Sequence, residues 1–206
     1  APDMSYVQVP ADGSVIECPP GSSCWIEDTK LPAGPNGPGD VFGSAIDATP
    51  DVIVVGAYRD DVEPVPGFAL SDAGSARVYT QISGSWCFAQ SLELPGAAAD
   101  DWAGFAVAVD GDLIAVGTPR RDAAGAPDAG LVTVYERAPG ADWFPSATFN
   151  GADSGDWFGS AVALDGDRVA IGAYRADSEV GVVEIHVRNG GAWTLEDTLL
   201  WPKDAD

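Results

Sequence analysis

Asp40-Val41-Phe42-Gly43-Ser44-Ala45, Asp101-Trp102-Ala103-Gly104-Phe105-Ala106 and Asp156-Trp157-Phe158-Gly159-Ser160-Ala161 are three copies of one phrase. Thirteen residues beyond the Gly of each copy stands a second phrase: Gly56-Ala57-Tyr58-Arg59, Gly117-Thr118-Pro119-Arg120 and Gly172-Ala173-Tyr174-Arg175. The inner spacing is 13 every time, whereas the copies lie 61 and 55 residues apart. A constant spacing inside a variable one marks a repeated structural unit joined by tolerant loops.

The third unit shows what the spacing encloses. Ser160–Leu164 alternates as a strand, Asp165-Gly166 reads as a tight turn, and Asp167–Gly172 returns as a second strand. Asp-Gly between alternating runs is a strong hairpin signal, and a type I′ turn with positive φ at both central residues is expected. The second unit repeats this with Ala106–Val109, Asp110-Gly111 and Asp112–Val116, while Asp47-Ala48-Thr49-Pro50-Asp51 in the first requires a different connection. A third strand follows at Ala76–Gln81, Leu131–Arg137 and Val182–Arg188. It is reached through a loop whose Gly-to-Gly length falls from 18 to 13 to 9 residues. Trp86, Trp143 and Trp193 then lead a fourth strand, such as Ser85–Leu94 or Trp193–Leu200. No stretch keeps a helical period.

Four antiparallel strands per unit describe an all-β chain built of β-propeller blades, at about 41–95, 102–150 and 157–202 within a domain spanning 32–206. A single blade has two large faces to bury, so blades must stack about an axis. The small Ser44, Ala45, Ala106, Ala108, Ala161 and Ala163 suit the crowded innermost strand. Residues 1–31 lack the phrase: Tyr6–Val9, Val15–Glu17 and Trp25–Leu31 are short strand candidates. Cys18 and Cys24 flank a turn-rich segment that an oxidising compartment would staple as a disulfide loop. Cys87 is then the odd thiol, and its pairing with either of the others stays open.

Charge narrows the partners. The chain carries 32 acidic against 10 basic residues, a net charge of −22, which repels phosphate backbones and excludes nucleic acid as a partner. No run approaches 18 continuous apolar residues, so a membrane span is not expected. The start at Ala1-Pro2-Asp3 suits an exported, processed chain, and the expected location is secreted, extracellular or on the cell surface.

At the repeated phrases the chain resembles the FG-GAP repeats of integrin α-subunit-like propellers. Phe42-Gly43 and Phe158-Gly159 match the first half of that motif, and Gly56, Gly117 and Gly172 open its second half, with Tyr in place of Pro twice. The middle copy departs, carrying Ala103-Gly104-Phe105. The resemblance implies a propeller whose rims and inter-blade surfaces bind proteins or sugars. Relatives often hold calcium between the first two strands of a blade. The tight hairpins at 110–111 and 165–166 leave no room for its six or more oxygens, so that site is not carried over. Three blades are too few for a ring. The chain is therefore either a piece of a longer propeller, the reading preferred from sequence, or an arc completed by other chains.

Acids cluster instead in the loops that enter each unit and follow its second phrase. Asp100, Asp101, Asp153, Asp156 and Asp177 are the candidate calcium ligands, against the alternative that such residues cap turns through backbone hydrogen bonds. The Asp preceding each phrase (Asp40, Asp101, Asp156) recurs as a structural hydrogen-bonding position. His186, alone of its kind, falls in register with Tyr79 and Tyr135 and is expected to pack between blades. Trp102 and Trp157 either stack on sugar rings or fill the space between blades. Arg59, Arg120 and Arg175 either pair with acids or hold an anionic ligand. No nucleophile, phosphate loop or metal spacing points to catalysis, so no enzyme is expected.

The leading expectation is a non-enzymatic extracellular propeller module that mediates protein–protein interaction, adhesion or assembly with protein partners or copies of itself. A carbohydrate-binding lectin, with glycans as partners, is the first alternative. A structural subunit of an extracellular filament or surface layer is the second.

Overall fold

The computed structural model describes residues 6–7, 25–26, 37–82, 85–92, 94–123 and 125–200. Near the N-terminus β1 (Tyr6–Val7) pairs in parallel with β2 (Trp25–Ile26). Cys18 and Cys24 lie outside the described residues, and Cys87 is a free, partly buried thiol.

Blade 1 begins with β3 (Ile46–Ala48) and β4 (Val52–Ala57), leaves the sheet for a small hairpin of β5 (Val62–Val65) and β6 (Phe68–Leu70), and ends with β7 (Ser75–Ile82) and β8 (Ser85–Leu92). Blade 2 comprises β9 (Ala106–Asp110), β10 (Leu113–Thr118), β11 (Leu131–Glu136) and β12 (Phe144–Asn150). Blade 3 comprises β13 (Ala161–Asp165), β14 (Arg168–Ala173), β15 (Val182–Asn189) and β16 (Ala192–Leu200). All three are four-stranded antiparallel meanders in chain order, apart from the β5–β6 insertion. The innermost strands stand side by side, with β9 between β3 and β13. Every described blade also shifts register at one place on its outer pair, just before Tyr79, Tyr135 and His186.

Period-two alternation builds the core between blades rather than within one. On β9, Val107 and Val109 face blade 1, joining Val54 and Val78, whereas Ala108 faces blade 3 in a cluster with Val169 and Ile171. Each fully buried Val or Ile contributes about 1.5–3 kcal/mol, so stability here comes from stacking neighbours. His186 packs where the register placed it, its ring 4.4 Å from that of Phe149 across the blade 2–blade 3 boundary.

Two local expectations are corrected. The tight turns centre on Gly111-Asp112 and Gly166-Asp167, because Asp110 pairs with Leu113 and Asp165 with Arg168. Only the glycines take positive φ there, so these are not type I′ turns. In blade 2, Asp110 Oδ2 reaches into blade 3 and accepts the Gly166 N–H at 2.6 Å, which helps hold Asp110 at the strand end. Asp47 Oδ2 makes the matching reach from blade 1 to Val109 N–H, 2.8 Å. The loop after Arg175 also contains one irregular helical turn, Ala176–Glu179, with Asp177 and Ser178 in left-handed backbone. No described helix is long and apolar enough to cross a membrane.

Candidate interaction rim

The phrase is a turn with a fixed set of bonds. The N–H of Gly43, Gly104 and Gly159 donates to the carbonyl of Gly56, Gly117 and Gly172, at 2.9, 3.1 and 3.0 Å. The residue after the Asp takes left-handed backbone in all three copies: Val41 at φ 56°, Trp102 at 63° and Trp157 at 57°. Such a φ costs a non-glycine residue about 1–2 kcal/mol, so the surrounding bonds must hold it there.

The preceding Asp supplies part of that hold. Its carboxylate accepts the backbone N–H three residues earlier, from Gly37 to Asp40, Ala98 to Asp101 and Asp153 to Asp156. Its carbonyl accepts the N–H of Arg59, Arg120 or Arg175, at 3.3 Å each time. Burial raises the pKa of all three carboxyls above the ordinary aspartate value, against the lowering effect of those same N–H donors. Asp101 additionally binds the Arg121 guanidinium at 2.7 Å.

The five calcium candidates sit in different settings. Asp101 and Asp156 are committed to their own loops, and Asp153 gives its N–H to the second of them. Asp100 lies beside Arg120 at 3.6 Å, while Asp177 sits exposed on the irregular turn of blade 3. Among the described residues no three His, Cys, Asp or Glu side chains are gathered to hold a metal ion. The five are not brought into one cage, and the turn-capping alternative accounts for Asp101 and Asp156 directly.

What converges at this rim is aromatic. Tyr58 of blade 1 lies 5.2 Å from Trp102 and 5.4 Å from Phe105, both entering blade 2. Trp102 stacks on Phe105 and meets Trp157 edge-on at 5.7 Å. Trp157 in turn meets Tyr174 at 5.8 Å. One continuous run of five rings thus crosses all three blades. Each recurring arginine lies over an indole: Arg59 and Arg120 over Trp102, at 5.7 and 4.6 Å, and Arg175 over Trp157 at 4.9 Å. The two indoles fill space between blades, whereas Tyr174, Arg59 and Arg175 are exposed. Trp102, Trp157 and the arginines were legible candidates; Tyr58, Phe105 and Tyr174 joined them only through the fold.

The opposite rim is acidic and paired to itself. Arg137 binds Asp112 at 3.0 Å, and Arg188 of blade 3 binds Glu136 of blade 2 at 2.8 Å. Inside blade 1, Asp60 and Arg77 form a buried ion pair at 3.2 Å that Ser75 completes, a role the loop position of Asp60 did not reveal.

Side-by-side four-stranded meanders, each opened by the same glycine turn, define a repeat protein of the β-propeller class. A sequence model of the FG-GAP repeat matches residues 25–79, 86–135 and 148–185, and the chain belongs to the FG-GAP repeat family. Among curated proteins none matches the chain.

Proposed function

We propose that the chain is a non-enzymatic, extracellular interaction module that engages a protein partner through the aromatic–arginine rim. The observation that supports this reading is the unbroken run of Tyr58, Trp102, Phe105, Trp157 and Tyr174, with an arginine over each indole. Tyr, Trp and Arg dominate the energetics of protein interfaces because they bury large rigid areas while keeping polar edges. Here rings anchored between blades present that composition on a preorganised surface, so little ordering entropy is lost on contact. Arg120 is paired with Asp100 and Asp128, whereas Arg59 and Arg175 stand exposed and suit a partner with carboxylates at its contact edge.

The test compares the chain with an Arg59→Ala/Arg175→Ala variant, each immobilised and exposed to extracellular extract from its source organism. The expected result is a protein retained by the parent and lost by the variant, abolished by protease pretreatment of the extract and indifferent to periodate. Loss on periodate with survival of protease would instead support the lectin reading, because periodate destroys sugar diols. Equal retention by parent and variant would remove the rim from consideration.

A further inference from the structure

The chain holds three asparagines, Asn36, Asn150 and Asn189, and a glycine follows each one. Glycine lacks a Cβ, so the side chain before it can approach its backbone nitrogen closely. Each Asn-Gly pair is therefore a place where the chain can react with itself, the glycine nitrogen attacking the asparagine carboxamide. What decides among the three is whether that nitrogen is already held.

Two of the nitrogens are. Gly37 N–H donates to the Asp40 carboxylate at 2.7 Å, within the clamp that sets the first phrase. Gly151 N–H donates to the Gly130 carbonyl at 2.8 Å. Gly151 is also buried so tightly that a Cβ on it would lie 2.1 Å from the Ala129 carbonyl oxygen. Asn150 itself is exposed, so solvent access to the side chain does not protect it; the engaged nitrogen behind it does.

Gly190 differs on every count. With Gly191 it forms the two-residue link between β15 and β16, at φ 60° and 90°. Among the described residues its N–H donates to no backbone carbonyl, and nothing lies within 4 Å of a Cβ placed on it. Asn189, Gly190 and Gly191 are all exposed. That exposure belongs to the outward position of the tip: residues 138–142, the matching link in blade 2, stay exposed although blade 3 packs beside them.

We propose that Asn189 is a site of spontaneous deamidation, with the chain's own Gly190 nitrogen as the nucleophile. Solvent base removes the Gly190 amide proton, and the nitrogen attacks Cγ of Asn189. The new N–Cγ bond closes a succinimide ring; the Cγ–Nδ2 bond breaks, and Nδ2 takes up a proton and leaves as ammonia. One water then opens the ring. Addition at Cγ leaves aspartate in an ordinary backbone. Addition at the main-chain carbonyl leaves isoaspartate, whose backbone runs through Cβ and Cγ and is one carbon longer.

The extra carbon falls where the outer hairpin is paired. Asn189 stands opposite Ala192, and Arg188 opposite Trp193. Arg188 holds Glu136 of blade 2 at 2.8 Å, and Trp193 meets Phe149 of blade 2 edge-on at 5.8 Å. Lengthening the backbone at 189 displaces this register, so isoaspartate loosens the outer contact between blades 2 and 3. None of these groups belongs to the aromatic–arginine rim, and the inference stands without a rim partner.

The test ages the full chain at mildly alkaline pH, folded and in parallel unfolded in guanidinium chloride. Peptide mapping by mass spectrometry reads the mass gain of one unit at each asparagine, and isoaspartyl methyltransferase labelling reads the isoaspartate. In the folded chain Asn189 should convert at least about tenfold faster than Asn36 or Asn150, because those two need a local opening to release the glycine N–H. Once unfolded, the three should convert at rates within a few-fold of one another. Folded-state conversion of Asn36 or Asn150 as fast as Asn189 would overturn the proposal, as would a preference for Asn189 that persists on unfolding. An Asn189 that stays intact in the folded chain would also overturn it. The aged chain should melt below the fresh one, and an Asn189→Ser chain aged alongside should not. Equal melting of aged and fresh parent would overturn the loosening of the blade contact.

Discussion

Gly117 and the carbonyl oxygen of Gly159 meet so closely that a methyl on Gly117 would stand 2.0 Å from that oxygen. The contact joins the second strand of one blade to the entering turn of the next, and neither partner is a flexible side chain that can swing away. Gly117→Ala is therefore expected to cost about 3 kcal/mol or more, at the high end for a single added methyl in a packed core. Urea denaturation followed by near-ultraviolet circular dichroism measures it. A loss below about 0.5 kcal/mol would mean that the blades do not seat against each other in this way.

Neighbouring aspartates should behave unequally. The Asp101 side chain is 5% exposed and accepts hydrogen bonds from both Ala98 N–H and the Arg121 guanidinium, whereas that of Asp100 is 63% exposed beside Arg120 at 3.6 Å. Asp101→Ala strands a buried donor and a partly buried cation, an expected loss of about 2–4 kcal/mol. Asp100→Ala should stay within about 0.5 kcal/mol. Equal effects in a chemical-denaturation series would contradict the assignment of Asp101 as the loop clamp.

Mild acid should stabilise the fold. Burial raises the carboxyl pKa of Asp40, Asp101 and Asp156 in the folded state, so between their unfolded and folded values the native chain holds more protons than the unfolded one. Their contribution to stability is full below the unfolded pKa and is lost as pH rises through the folded pKa. Acidification from neutral pH toward the aspartate range also relieves the repulsion of a −22 charge. The melting temperature should accordingly climb as pH falls from neutral to just above the ordinary aspartate value; a steady decline on that approach would show that paired carboxylates outweigh the buried ones.

Salt should act in the same direction and without regard to the cation's identity. Exposed carboxylates repel over roughly 10 Å at 0.1 M ionic strength, and added electrolyte shortens that reach. Since the described acids assemble no cage, sodium and calcium at matched ionic strength should raise the melting temperature alike. A calcium-specific rise, reversed by a chelator, would require ligands beyond those described.

The repeat was legible because its markers are backbone necessities. Gly56 and Gly117, each 13 residues beyond the Gly of a phrase, answer a carbonyl from the next blade, and the apolar runs of β9 and β10 follow from burial on both faces. The centre of each hairpin turn lies one residue beyond the Asp-Gly expected, and in blade 2 the Gly166 N–H of another blade helps hold Asp110 at the strand end. The β5–β6 hairpin escaped because Pro64 and Pro66 break the pattern that Val62, Val65 and Phe68 would otherwise show. The aromatic run was hidden for a different reason: its five rings come from three units, and only the stacking of blades sets them edge to edge.

The β5–β6 hairpin ends in Pro66-Gly67, and it lies outside the four-stranded sheet of its blade. Foreign sequence spliced at that tip would ride on a loop whose length the family of units already varies freely. It would leave every glycine seat untouched, which makes residues 66–67 a natural attachment point for a fluorophore or an affinity tag.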